Sequence, residues 1–214
     1  MRTSRDLFLS REKIIGEDVM FVIGITGGVG AGKSSVLSIL EEEFDCLIIR
    51  ADDVANELKL KGHLCYDKIV ALLGEEILGA DGEIDRNVMS MIVFEDEEKM
   101  RQVEQILHPA VKRYIVDVID EKRREGKLQY LFIEAALLIE NGYKQICDEM
   151  WYIYASVGTR TKRLMASRGY SLQKIESIMD KQLSEAEFRK NCECVIDNDG
   201  DLEATRESIK KVLS

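Results

Sequence analysis

Proline is almost missing from this chain: its 214 residues hold one, Pro109. Missing with it are Pro-, Gly- or Ser-rich linkers, low-complexity blocks and internal repeats, so nothing marks a string of independent modules. No apolar run approaches the length that spans a membrane. The first nineteen residues carry Arg2, Arg5, Arg11, Glu12, Lys13, Glu17 and Asp18 around one short apolar patch, Leu7-Phe8-Leu9. That patch is too short for a signal-peptide core, so residues 1–19 read as a surface tail with at most one helical turn. An excess of basic charge is also absent. The formal net charge of -10 argues against general nucleic-acid binding. The five cysteines, Cys46, Cys65, Cys147, Cys192 and Cys194, form no paired framework, and the odd number suits a reducing cytoplasm. Cys192-x-Cys194 lacks the companion ligands of a zinc site and reads as strand-edge cysteine.

What is present is ordinary for a soluble globular protein: 45% hydrophobic and 33% charged residues in a length that suits one α/β domain with insertions. The feature that organises the chain is FVIGITGGVGAGKSSVLSIL, residues 21–40. A β-branched run, Phe21 to Thr26, feeds a glycine-rich loop that opens a helix at Lys33. Gly27, four residues, then Gly32-Lys33-Ser34 fits G-x-x-x-x-G-K-[ST], the phosphate-binding loop. Glycines let successive backbone N–H groups turn inward as an anion nest, and the helix N-terminus adds its positive dipole end. Lys33 is placed to reach β- and γ-phosphates and the Ser34 hydroxyl to ligate Mg²⁺. Chance supplies the pattern in roughly one chain of this length in a hundred; the strand before it and the apolar spacing of Val36, Leu37, Ile39 and Leu40 after it narrow that further. The stretch reads as a nucleoside triphosphate site.

Further along, Cys46 to Ala51 is a short apolar run ending in Asp52-Asp53, a second buried strand. Ligands of open α/β sheets bind beyond the carboxyl ends of the strands, which makes Asp52 a catalytic candidate; it is equally suited to cap a helix starting near Val54. Residues 54–125 are helical and strongly charged, with breaks at Gly62, Gly74 and Gly79 to Gly82, and the spacing of Val111, Ile115, Val118 and Ile119 carries the helical period past His108-Pro109. Strand patterning returns at Leu128 to about Ala135, at Met150 to Ala155 and at Cys194 to Asn198, and Leu202 to Leu213 closes as a helix. Between the last two strands, residues 159–190 are helical and locally basic: either a solvated face or a surface that meets phosphates. His108 before a proline reads as supporting a bend or positioning a substrate.

The order of these motifs closely resembles the dephospho-coenzyme A kinase family of phosphate-loop kinases. The stretches that carry it are IGITGGVGAGKSSV, ADDVA (Ala51 to Ala55), DGEIDR (Asp81 to Arg86), ILHPAV (Ile106 to Val111), ALLIE (Ala136 to Glu140), TKRLM (Thr161 to Met165), Gln182 and VIDNDG (Val195 to Gly200). The resemblance implies a three-layer α/β/α sandwich around a mostly parallel five-stranded sheet. Its core would comprise residues 20–55, 127–158 and 191–214, with a helical substrate-binding insertion at 56–126 and a helical lid at 159–190. It implies transfer of the ATP γ-phosphoryl to the 3′-hydroxyl of dephospho-coenzyme A, the last step of coenzyme A biosynthesis, with ATP and Mg²⁺ in the site and small molecules, not nucleic acid or membrane, as partners. Carried over by position, Gly28, Gly30, Ala31, Gly32, Lys33, Ser34 and Ser35 hold the ATP phosphates. Asp52 accepts the hydroxyl proton, Arg163 closes over the phosphates, and Arg168 is a second phosphate-binding arginine. Asn198 borders the adenine, and Arg86, His108 and Pro109 help form the acceptor pocket. The chain departs from the family pattern at Arg50, where an additional Asp is usual, at Ala136, where proline is common, and at Arg168, one residue late. Two other readings stay open here: a related kinase for another nucleoside or nucleotide hydroxyl, and a protein that binds ATP or coenzyme A without turnover.

Overall fold

The computed structural model describes residues 20–213; the tail expected over residues 1–19 lies outside them. The strands are β1 (Phe21–Thr26), β2 (Cys46–Arg50), β3 (Tyr130–Glu134), β4 (Glu149–Tyr154) and β5 (Cys194–Asp197). The helices, in chain order, are α1 (Lys33–Glu43), α2 (Ala51–Glu57), α3 (Tyr66–Leu73), α4 (Arg86–Glu95), α5 (Glu97–Glu125), α6 (Val157–Arg168), α7 (Leu172–Met179), α8 (Glu185–Asn191) and α9 (Leu202–Leu213). The chain divides into two compact units, Met1–Ile48 with Glu121–Ser214, and Ile49–Asp120.

The first unit is built on the sheet, whose strands stand in the order β2-β3-β1-β4-β5. β1 pairs in parallel with β3 and with β4, and β4 in parallel with β5. Strands in the middle of a parallel sheet are covered on both faces and read as unbroken apolar runs. Accordingly β1, β3 and β4 are buried along almost their whole length, while the edge strands β2 and β5 are half-buried. Ile23, Ile25, Phe132, Trp151 and Ile153 from the sheet share one core with Val36, Leu37, Ile39 and Leu40 of α1 and Ile209 of α9. Trp151 meets Phe132 edge to face with centroids 5.7 Å apart, and its indole N–H donates to Glu149 at 3.2 Å. This is the α/β class with the five-stranded parallel sheet that the family resemblance implies.

The basic stretch expected as helical over 159–190 is broken into α6, α7 and α8. Each begins on a serine whose hydroxyl accepts a backbone N–H: Ser156 from Thr159, Ser171 from Lys174 and Ser184 from Glu187. The Glu187 carboxylate in turn accepts from the Ser184 N–H at 2.9 Å, a reciprocal capping box that fixes the start of α8.

The second unit is helical, as its sequence predicts. Buried Val103, Val111, Ile115 and Ile119 lie along one stripe of α5. That helix continues through Pro109, although a proline removes one i to i−4 bond; the thiol of Cys65 lies 4.0 Å from the adjacent Ile106 carbonyl as a weak donor. Asp85 starts α4 by accepting from the N–H groups of Asn87 and Val88 at 2.8 and 3.2 Å, and the Tyr66 hydroxyl donates to the Gly82 carbonyl.

All five cysteines are free thiols. Burial, then the Glu41 and Asp45 carboxylates, push Cys46 up to about 11; burial and then Glu193 push Cys192 up to about 12. Such thiols stay protonated and poorly nucleophilic near neutral pH. Among the described residues no helix is long and apolar enough to cross a membrane.

Candidate active site

The site in the first unit grows out of the end of β1. After Thr26 the loop runs from Gly27 to Gly32 and α1 begins at Lys33. Gly32 occupies the N-cap position with φ 87°, in the left-handed region that favours glycine, and a Cβ there would also overlap the Asn198 amide nitrogen. No side chain caps the helix and its first turn holds no acidic residue. The positive end of α1 is therefore left for an external anion.

Lys33 folds back over the loop it follows. Its ammonium donates to the Gly27 carbonyl at 3.0 Å and lies 3.7 Å from the Glu134 carboxylate, with both side chains less than a fifth exposed. Glu134 ends β3 in register with Ile25 of β1, so the strand pairing itself brings a carboxylate beside the loop. The reading of the sequence assigned it no role. Its position as the last residue of the apolar run YLFIE was the available signal, since ligands gather at strand carboxyl ends. Ser34, at the head of α1, is exposed. The Ser34 hydroxyl, and the Glu134 carboxylate beside the adjacent Lys33, are oxygen donors of the kind Mg²⁺ takes, one or two from protein together with waters and phosphate oxygens. Among the described residues no group of three or more His, Cys, Asp or Glu side chains could hold a metal ion without such help.

The inner half of the loop is braced from behind. Asn198, only 2% exposed, donates its side-chain amide to the Ala31 carbonyl at 2.7 Å, and its Oδ1 accepts from the fully buried Thr205 hydroxyl at 2.9 Å. Arg163 of α6 donates to the Ala31 carbonyl at 3.3 Å and to the Asn198 backbone carbonyl at 2.8 Å. These donors engage loop carbonyls, and so favour a loop whose N–H groups point the other way. The Asn198 side chain is occupied by this bracing; the Thr205 contact carries no short-range sequence signal. Replacing Asn198 with alanine removes two buried hydrogen bonds, leaving the Ala31 carbonyl with Arg163 and the Thr205 hydroxyl with the Asp201 carbonyl at 3.2 Å, a cost of about 1–3 kcal/mol. The expected result is a thermal midpoint lower by about 3–10 °C; an unchanged melting curve would contradict the brace.

The outer half is held by other side chains. Arg160 of α6 donates to the Val29 carbonyl at 2.8 Å and to Gln182 at 2.9 Å, and the Val29 N–H donates to the same Gln182 oxygen at 3.0 Å. Burial pulls the Arg160 guanidinium down from its ordinary value, but arginine stays cationic in proteins. Arg168, in the last turn of α6, lies 5.9 Å from the ring of Tyr170; the structure places it against this aromatic side chain.

The other predicted residues belong to the second unit. Asp52 is an exposed residue in the first turn of α2, a helix that starts at Ala51 with Arg50 in the N-cap position. The capping reading of Asp52 is therefore corrected: the helix starts three residues earlier than its apolar pattern suggests, and the carboxylate lies inside the first turn. Arg86 is exposed at the start of α4. Lys59 lies within electrostatic reach of both Arg86 and Asp52, and burial, then Arg86, lower its pKa while Asp52 opposes them. Half-buried His108 and exposed Pro109 lie mid-way along α5.

A family model described as dephospho-CoA kinase matches residues 21–204. A dephospho-CoA kinase of Carboxydothermus hydrogenoformans is 36% identical over 195 residues, covering 91% of this chain and 94% of that one. One from Moorella thermoacetica is 37% identical over 191 residues, covering 89% and 90%. Among solved structures, TT1252 from Thermus thermophilus superposes with a TM-score of 0.75 at 27% identity, over 91% of this chain and 96% of that one. The dephospho-CoA kinase from Campylobacter jejuni, at 24% identity and a TM-score of 0.68 over 90% and 94%, shares the fold. The chain belongs to the dephospho-coenzyme A kinase family and is an ATP-dependent kinase.

Proposed function

We propose that the enzyme transfers the γ-phosphoryl group of ATP to the 3′-hydroxyl of the ribose of dephospho-coenzyme A by direct in-line displacement. The observation that carries this reading is Lys33 folded onto the Gly27 carbonyl beside Glu134, at the head of an uncapped helix. That arrangement suits the β- and γ-phosphates of a nucleotide whose other contacts are backbone N–H groups of Gly30 to Ser35. Asp52 accepts the proton of the 3′-hydroxyl; the O3′–Pγ bond forms as the bond from Pγ to the β,γ-bridging oxygen breaks, and ADP leaves with the negative charge. Phosphoryl transfer is mostly positioning and charge stabilisation, so Lys33 acts by holding and neutralising phosphate oxygens, and Arg163, bonded here to the Ala31 and Asn198 carbonyls, would join it on leaving them. Ser34, with Glu134 through water, would hold Mg²⁺, whose charge offsets that of the phosphates. Arg86, His108 and Pro109 contribute to the acceptor pocket, Gly28 gives the loop room, and Arg168 and the Asn198 turn border the nucleotide. The free thiols fit a cytoplasmic enzyme, and the acidic net charge fits small-molecule partners over nucleic acid.

Acceptor analogues test the regiochemistry. A 3′-deoxy acceptor is expected to release no ADP above the acceptor-free rate, while the 2′-deoxy analogue remains a substrate. The reverse pattern would overturn the assignment to the 3′ position.

A further inference from the structure

Val29, at the apex of the phosphate loop, has both of its backbone polar groups gripped by side chains. Its carbonyl accepts from Arg160 Nε at 2.8 Å, and its N–H donates to Gln182 Oε1 at 3.0 Å. The same oxygen accepts from Arg160 Nη2 at 2.9 Å, which closes a three-membered ring of hydrogen bonds. The ring allows one orientation of the glutamine amide, because its oxygen faces two donors and its NH₂ group could satisfy neither. Gly28 is part of the device: a Cβ there would overlap the Arg160 guanidinium. One glycine of the motif thus makes room for an arginine as well as for phosphate.

The inner loop is treated differently. Asn198 and Arg163 engage only carbonyls there, at Ala31 and Gly32. At Val29 the N–H is also taken, so in this geometry the anion nest begins after the apex.

We propose that Gln182 and Arg160 are positioning residues that fix the apex of the phosphate loop for transfer of the γ-phosphoryl group, and couple that apex to the basic segment that carries Arg163. The proposal rests on the kinase reading above. Arg160 and Arg163 are one helical turn apart on α6, on the same side of the helix, so one short helix holds both halves of the loop. The amides at the head of α1 hold the inner phosphates, which ADP also carries. The apex lies upstream of them, and its Val29 N–H is already given to Gln182, so ADP affinity is expected to rest on the N–H groups after it.

The test separates binding from transfer. Wild-type enzyme is first assayed for acceptor-dependent ADP release; its absence would remove the kinase reading itself. With that rate in hand, Gln182→Ala and Arg160→Ala are each expected to lower kcat by about 10–100-fold, the scale of a small misplacement of a reacting group. Their dissociation constants for ADP, measured by calorimetry, stay within about twofold of wild type. The double variant loses no more than the more damaging single one, because the pair acts as a unit. Should Gln182→Ala fold poorly, Gln182→Asn, one methylene too short to reach Val29, carries the same expectation. Wild-type kcat in a folded Gln182 variant overturns the latch. So does an equal loss of ADP affinity and turnover, which would make the ring a general support of the loop.

Discussion

Replacing Lys33 by alanine lowers kcat/KM about a hundred- to a thousandfold, while the protein still folds. The magnitude is that of losing one preorganised donor to developing charge, about 2.7–4 kcal/mol in the transition state. Two observations make it large at this position. The ammonium is already fixed by the Gly27 carbonyl at 3.0 Å, so binding a nucleotide demands little reorganisation. It is also mostly shielded from solvent, with 17% of the side chain exposed, so its charge is less screened than that of a surface lysine. Removing the ammonium also leaves the Glu134 carboxylate, 16% exposed and 3.7 Å away, without this cation, so the thermal midpoint falls by several degrees while the protein still folds. Steady-state kinetics and a thermal melt together check the prediction. Unchanged kcat/KM would remove Lys33 from the chemistry; a collapsed fold would make it a structural residue.

Asp52→Asn is expected to slow kcat by about 10²–10⁴-fold, the usual contribution of a positioned general base, with ATP affinity retained. Asparagine keeps the shape of the side chain and loses the ability to take a proton. The neighbouring residue supplies an internal control. Asp52 and Asp53 are both exposed in the first turn of α2, so both contribute the same modest stabilisation, about 0.3–1 kcal/mol, with the helix dipole. Asp53→Asn therefore reproduces the electrostatic change in the helix without touching the proposed base, and should turn over within about twofold of wild type. If Asp52→Asn behaves like Asp53→Asn, Asp52 serves its helix and another acceptor takes the proton.

The sheet was legible because its strands are buried on both faces. FVIGIT and YLFIE are unbroken apolar runs in the sequence and nearly fully buried strands in the fold. The phosphate loop was legible for a different reason: closely spaced glycines followed by Lys33 have few other physical uses. Helix starts were harder. Apolar spacing places α2 near Val54, but Ala51, Asp52 and Asp53 add a turn that no hydrophobic period marks. In the basic segment, Ser171 and Ser184 with Glu187 were usable start signals; the charge run drew attention from them, and one expected helical stretch became separate capped helices.

The bracing of the loop had no local signature. Asn198 reaches Ala31 across 167 residues, and Gln182 reaches Val29 across 153. Such pairs depend on strand order, which places β5 and the basic segment beside the loop although the chain visits them last. Gln182 stood within the family resemblance, yet only the fold shows what its side chain holds. Arg163 was expected to meet phosphates and is found on the carbonyl side of the loop. Glu134 lay between the two cases, visible as a carboxylate ending a buried strand and assigned only once its distance to Lys33 was known.

An uncapped helix, a fixed lysine and the chain's family membership together point to a kinase for one particular hydroxyl. A coupled assay of ADP release, run with dephospho-coenzyme A against a panel of nucleosides and nucleotides, tests it most directly. ADP release is expected to depend on the acceptor and to be fastest, by about tenfold or more in kcat/KM, with dephospho-coenzyme A. Preferred turnover of another acceptor, or no acceptor-dependent ADP with any compound while ATP still binds, would contradict it.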